Sequence, residues 1–176
     1  MEFADGYEGV THAGLLIVAR DTGKMLLAQR AFDEDDAPEV QETWEPPSGK
    51  IEPGEDPFVG ACRELEEETG LPLGPHEVVH GWRAGPEENY QGFVVTIRHE
   101  SPLELATPDP EEVQALGWYT VEEAGTLNLR PEFAANDLDA LVAHAVSGNE
   151  EDMPEETEEI AAATQAEVAD DYQQEP

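Results

Sequence analysis

Residues 49–71 read GKIEPGEDPFVGACRELEEETGL, and the spacing of acids and apolar residues in this stretch decides the rest. Glu64, Glu67 and Glu68 stand at i, i+3 and i+4, so a helix gathers them on one patch. Like charges at that spacing repel and weaken a bare helix. A divalent cation removes the repulsion, and carboxylate oxygens are the ligands that Mg²⁺ and Mn²⁺ prefer. The helix is well specified over about residues 56–69. Asp56 suits the N-cap, Pro57 suits the first helical position, and Gly70 suits a left-handed C-cap. Phe58, Cys62, Leu65 and Thr69 form a narrow, mostly apolar stripe for a core. One face is therefore anchored while another presents carboxylates.

The same residues resemble the Nudix box, G-x5-E-x7-R-E-U-x-E-E-x-G-U with U aliphatic. Gly49, Glu55, Arg63, Glu64, Leu65, Glu67, Glu68, Gly70 and Leu71 occupy its constrained positions at the right distances. The surrounding pattern extends the resemblance over about residues 8–146. It implies an α/β/α sandwich around a mixed β-sheet. It also implies a hydrolase that uses Mg²⁺ or Mn²⁺ to cleave a nucleoside diphosphate linked to a group X, such as a nucleoside triphosphate or an ADP-ribose-like compound. Glu64, Glu67, Glu68 and the Gly49 carbonyl are the implied metal ligands, and Glu64 or Glu68 is the implied base. Arg63 orients these acids, and Glu55 is either its structural partner or a further ligand. A loop carboxylate completes such sites: Glu111 or Glu112 is favoured over Glu87 and Glu88, and Glu45 is a further candidate. Substrate-contact candidates are Arg30, Trp44 and Arg83, with Tyr90 and Phe93 as other aromatics. Pro47-Ser48-Gly49 departs from the frequent Pro-Gly-Gly, which puts the loop geometry before the helix in question.

The flanking chain fits a mixed α/β domain. Apolar runs at 11–20 and 24–30 meet at Asp21-Thr22-Gly23, a hairpin signal. Residues 31–43 read as a mobile polar loop and 44–49 as a short strand running into a turn. Strands are expected at 76–84, 90–100 and 114–119, with a polar loop at 101–110. Thr120-Val121-Glu122-Glu123 opens a short helix with a capping box, and one last helix is expected over 132–146. Residues 1–9 read as a loose leader, 10–147 as the domain and 148–176 as an acidic, disordered tail.

The net charge is −34. Residues 148–176 hold −11 of it with no basic residue, which leaves −23 on the remainder. Such a surface argues against binding a nucleic-acid backbone. It allows a small nucleotide, because cations bridge like charges. The acidic tail reads as a solvating segment, with docking on a basic partner as the alternative, and homodimers are frequent among chains of this resemblance. No apolar run reaches membrane-spanning length, and the single Cys62 on the apolar stripe excludes an internal disulfide. A cytoplasmic protein is the resulting expectation. The runner-up function is a Nudix-fold nucleotide-binding or regulatory module that does not hydrolyse; an interaction protein acting through its tail is a third.

Overall fold

The computed structural model describes residues 7–70, 72–100 and 110–147. The acidic tail, the first six residues and most of the proline-bearing loop at 101–109 lie outside the described residues.

The elements in chain order are β1 (His12–Ala19), β2 (Met25–Arg30), β3 (Trp44–Glu45), β4 (Ser48–Lys50), α1 (Pro57–Thr69), β5 (Glu77–Ala84), β6 (Tyr90–Ile97), β7 (Val113–Tyr119), α2 (Val121–Ala124), α3 (Pro131–Ala134) and α4 (Leu138–Val146). A 3₁₀ turn at Pro86–Glu88 joins β5 to β6. The strands form one mixed sheet in the order β3-β2-β1-β6-β5, with β4 paired to β1 and β7 to β2. The β1–β6 pairing is parallel, from His12 opposite Tyr90 to Ala19 opposite Ile97. The other pairings of named strands are antiparallel.

β1 is buried from Ala13 through Ala19, as a central strand covered on both faces must be. Its residues alternate. Leu15 and Ile17 join Ala61, Cys62 and Leu65 of α1 in one core, which Phe93, Val95 and Ile97 complete. Leu16 and Val18 face the other way, with Met25, Leu27, Val94, Phe133 and Ala145, beneath α2 to α4. The period of two thus builds two cores on one strand, and the result is the expected α/β/α sandwich.

Local details go beyond or differ from the expectations. The short strand expected at 44–49, running into a turn, is Trp44–Glu45, and a second short strand, Ser48–Lys50, follows the bend. Pro46 and Pro47 lack backbone donors, so β3 and β4 are separate and pair with different neighbours. The expected helix over 132–146 is two helices. Asp137 turns out of the helical path and its carboxylate accepts a hydrogen bond from the Ala140 N–H at 3.0 Å, starting α4 anew. The loop at 31–43, read as mobile, is laced down. Asp36 takes Arg30 in two bonds of 2.6 and 2.9 Å, and its carbonyl accepts from the Gln41 amide. Tyr7, at the end of the supposed leader, packs edge-on against Phe93.

Candidate functional site

α1 forms as its local signals require. Asp56 accepts from the backbone N–H groups of Phe58 and Val59, and Gly70 closes the helix at φ 74°. Cys62, Leu65 and Thr69 are buried, which fixes the rotation of the helix and so the direction of its acids. Glu64 and Glu68 turn inward, toward the loop that carries β4; both are more than nine-tenths buried. The carboxyl of Glu64 lies where a Cβ on Gly49 would sit, so position 49 has no room for a side chain. Glu68 accepts a hydrogen bond from the Ser48 backbone N–H. Ser48 itself needs no left-handed backbone, and its hydroxyl donates to the Pro46 carbonyl at 2.8 Å. The departure from Pro-Gly-Gly therefore leaves the loop free of strain.

Arg63 organises the base of this helix. Its Nε and Nη2 donate to the two oxygens of Glu55, each at 2.9 Å. Nη1 reaches Glu64 at 3.1 Å and Glu67 at 3.0 Å, and Nη2 also reaches the Lys50 carbonyl at 3.0 Å. Glu55 is almost wholly buried and takes the Glu52 N–H as well. Its oxygens are thus engaged by Arg63 and the backbone. The guanidinium, hydrogen-bonded to Glu55 and Glu67, is held protonated well beyond its usual range.

Glu112, just before β7, brings a third carboxylate. Oxygens of Glu64, Glu68 and Glu112 lie within 4.8 Å of one another. The register that makes this possible is the β2–β7 ladder, where Arg30 pairs with Val113 and the Ala31 N–H donates to the Glu112 carbonyl at 2.9 Å. Burial raises Glu64 to about 7, with Arg63 pulling the other way and Glu67 adding to the rise. Burial also raises Glu68 well above the usual carboxylate range, reinforced by Glu45, Glu64 and Glu112. Buried acids that crowd one another, with Arg63 touching only one of them, lack about the charge that a divalent cation carries. The donor set, hard oxygens alone, fits Mg²⁺ or Mn²⁺. Glu67 is exposed, points to Arg63 and stands outside the trio.

Beside the trio opens a cavity of about 350 Å³. Glu45, Ser48 and Gly49 form the wall it shares with the carboxylates; His12 and Arg30 lie close by. Trp82, Tyr90 and Phe133 supply aromatic surface, and Arg130 supplies charge. Trp82 lies against Gly92 and within 6.1 and 6.5 Å (ring centroids) of Tyr90 and Phe133.

Of the substrate-contact candidates, only Arg30 and Tyr90 line this space. Trp44 packs edge-on to Tyr119 at 5.2 Å and does not line the cavity, although it shares a core cluster with Trp82 and Phe133. Arg83 donates to the carbonyls of Glu88 and Glu8. Phe93 is core, edge-on to Phe58. Trp82 and Arg130 were not singled out from the sequence. A signal for Arg130 did exist: an arginine immediately before a proline that starts a helix, in a chain with only 8 basic residues.

A helix that aims two buried glutamates at a third, across a mixed sheet and beside an open cavity, defines an α/β protein built around a carboxylate centre. The chain belongs to the Nudix family: the NUDIX domain matches residues 10–144. It is 30% identical over 132 residues to the human m7GpppN-mRNA hydrolase NUDT17, covering 65% of this chain and 39% of that one. It is 31% identical over 131 residues to an ADP-ribose pyrophosphatase of Mycobacterium tuberculosis, covering 69% of this chain and 61% of the relative. The chain thus spans less than two thirds of the length of either relative. A MutT Nudix hydrolase of Burkholderia pseudomallei shares the fold, with a TM-score of 0.54 at 24% identity over 76% of this chain and 95% of the other. Among the described residues, no helix is long and apolar enough to cross a membrane.

Proposed function

We propose that this chain is a divalent-metal-dependent pyrophosphohydrolase. Its substrate is a nucleoside diphosphate linked to a second group, either a nucleoside triphosphate or an ADP-ribose-like compound. The observation that carries this reading is the convergence of Glu64, Glu68 and Glu112 within 4.8 Å at the edge of the cavity. The names of the two relatives, one a hydrolase of capped RNA and one a pyrophosphatase of ADP-ribose, support the reaction class.

The carboxylates of Glu64, Glu68 and Glu112, with the Gly49 carbonyl, would hold Mg²⁺ or Mn²⁺. When bound, the cation offsets phosphate charge and polarises a phosphoryl oxygen and water. The protein's own groups do the rest. Arg63 locks the rotamers of Glu64 and Glu67 while its bond to Glu55 anchors it to the preceding loop. Gly49 and Ser48 let the β4 loop lie directly on the two inward glutamates. Water forms a new bond to phosphorus as the bridging P–O bond breaks. An oxygen of Glu64 or Glu68 accepts the water's proton and later releases it to solvent. The bridging oxygen leaves on the departing phosphate. The cavity holds the nucleoside side of the substrate against Trp82 and Phe133.

The test is product analysis on canonical and oxidised nucleoside triphosphates, ADP-ribose, NADH and dinucleoside polyphosphates, with Mg²⁺ or Mn²⁺. Cleavage of one class that disappears with chelator and in Glu68→Gln is the expected result. Absence of cleavage under every metal and salt condition, molar salt included, would leave a nucleotide-binding module in its place.

A further inference from the structure

In a chain of net charge −34, a polyanionic substrate needs a cationic handle from the protein itself, and the described arginines differ sharply in what already holds them. Arg63 spends Nε and both terminal nitrogens on Glu55, Glu64, Glu67 and the Lys50 carbonyl. Arg30 lines the cavity but is clamped by Asp36 through two bonds, the shorter 2.6 Å. Arg83 is turned to backbone carbonyls and lies outside the cavity.

Arg130 is different. Its backbone is pinned to the cavity wall: the Trp44 N–H donates to the Asn128 carbonyl at 2.8 Å and the Arg130 N–H to the Trp44 carbonyl at 2.9 Å. Leu129 forms a parallel bridge with Trp44. This seats Arg130 beside Glu45, the acid that faces Glu68 across the wall. The side chain is partly buried and is held by two separate single contacts, Nη1 to Glu45 at 3.4 Å and Nε to Glu132 at 3.3 Å. Both are longer than the roughly 2.7–2.9 Å of a strong charge-assisted bond, and neither is the two-pronged clasp that fixes a guanidinium. Two acids hold Arg130 at the cavity through single contacts without saturating its planar donor fork.

We infer that Arg130 is a substrate-binding residue that takes a phosphate of the nucleotide seated in the cavity, on the nucleoside side of the scissile bond. A phosphate presents oxygens in the spacing that a guanidinium fork matches, and it can take two donors at once where each carboxylate takes one. Trp82 and Phe133 line the same cavity and offer apolar surface to the nucleoside. The inference rests on the cavity being the nucleotide site of the proposed hydrolase, but it is testable without turnover.

The experiment is calorimetric titration of AMP, GMP, CMP and UMP, each against its parent nucleoside, with no divalent metal present. In the wild-type chain at least one monophosphate should bind ten times or more tighter than its nucleoside. Arg130→Ala should bring that preference to within about threefold, with nucleoside affinity unchanged. Arg130→Lys should restore part of it, because a point charge remains without the fork. Lys24→Ala removes the same charge at the far end of β2, where Lys24 faces Glu100, and should leave the preference intact. A preference that survives in Arg130→Ala, or vanishes equally in Lys24→Ala, overturns the inference, as does a wild-type chain that binds monophosphates no better than nucleosides. Failure of the proposed reaction has a separate signature: monophosphate preference with no cleavage in the substrate panel.

Discussion

Arg63 and Glu55 face each other through two parallel hydrogen bonds of 2.9 Å, with Glu55 buried and Arg63 largely so. The pair ties the first turns of α1 to the loop before it. Removing Glu55 takes two bonds from a largely buried guanidinium, which keeps only Glu64, Glu67 and the Lys50 carbonyl; breaking a buried pair of this kind costs about 3–5 kcal/mol. Glu55→Ala should therefore lower the melting temperature by roughly 6–20 °C, on a scale of about 2–4 °C per kcal/mol for a chain of this size. Thermal melts in excess Mg²⁺ measure it, and a loss under about 2 °C would show that the pair is dispensable.

Glu68 and Glu67 should respond differently to the same isosteric change. Glu68→Gln removes charge from a buried member of the carboxylate trio, whereas Glu67→Gln removes an exposed partner of Arg63. Steady-state kinetics should show kcat falling by on the order of 10²-fold or more for Glu68→Gln. The loss for Glu67→Gln should be smaller, with little change in metal affinity. Equal losses in both would place Glu67 among the ligands.

The pH dependence of stability follows from the raised carboxyls. A carboxyl whose pKa is higher in the folded state contributes stability below its unfolded value, roughly 4.3. That contribution is lost as pH rises through the folded value. For Glu64 the folded value is about 7, and Glu68 moves in the same direction. Asp36 and Glu123 are shifted downward and act only at lower pH. With chelator present, the melting temperature should fall between pH 5 and pH 8. Mg²⁺ should recover more of it at pH 8 than at pH 5, since a cation binds the deprotonated carboxylates. In Glu64→Gln the chelated slope should be shallower; an unchanged slope would trace it to other groups.

Surface repulsion predicts a salt response. The residues up to 147 carry −23, and most of their acids are exposed. Screening shortens from about 10 Å at 0.1 M to about 3 Å at 1 M salt. The melting temperature should climb by several degrees between 0.05 and 1 M KCl. A decline would mean that attractive pairs, such as Arg30 with Asp36, outweigh the repulsion.

What was legible in the sequence was local. The cap at Asp56, Pro57 at the first turn, the apolar stripe and Gly70 act within one helix, so α1 could be read from neighbours in the chain; that Glu67 turns to Arg63 while Glu64 and Glu68 turn inward could not. The choice of Glu112 over Glu111 could not. It depends on the register of β7 against β2, with its irregularity at Gln29/Arg30. Trp44 looked like a stacking surface because an aromatic at a strand position has two faces to choose from; β3 pairing turned it to Tyr119. Arg130 was passed over because its one local signal, the Arg-Pro step, says nothing of where the side chain ends up. Its place is set by backbone bonds to a strand far back in the chain, and no local pattern encodes a parallel bridge of that kind. The break before α4 was present in Asp137, an N-cap residue type inside an otherwise helical run.

The cavity wall that carries Arg130 and Phe133 hangs on β3 by the Trp44 bonds alone among the named backbone pairings. During synthesis, every carboxylate of the trio has left the ribosome once residue 112 emerges, while this wall arrives some twenty residues later. A nascent chain therefore carries all three acids before it holds the wall that closes the cavity. A chain terminated between Tyr119 and Asn128 would keep the three acids and the β2–β7 register that places Glu112, while lacking Arg130 and Phe133.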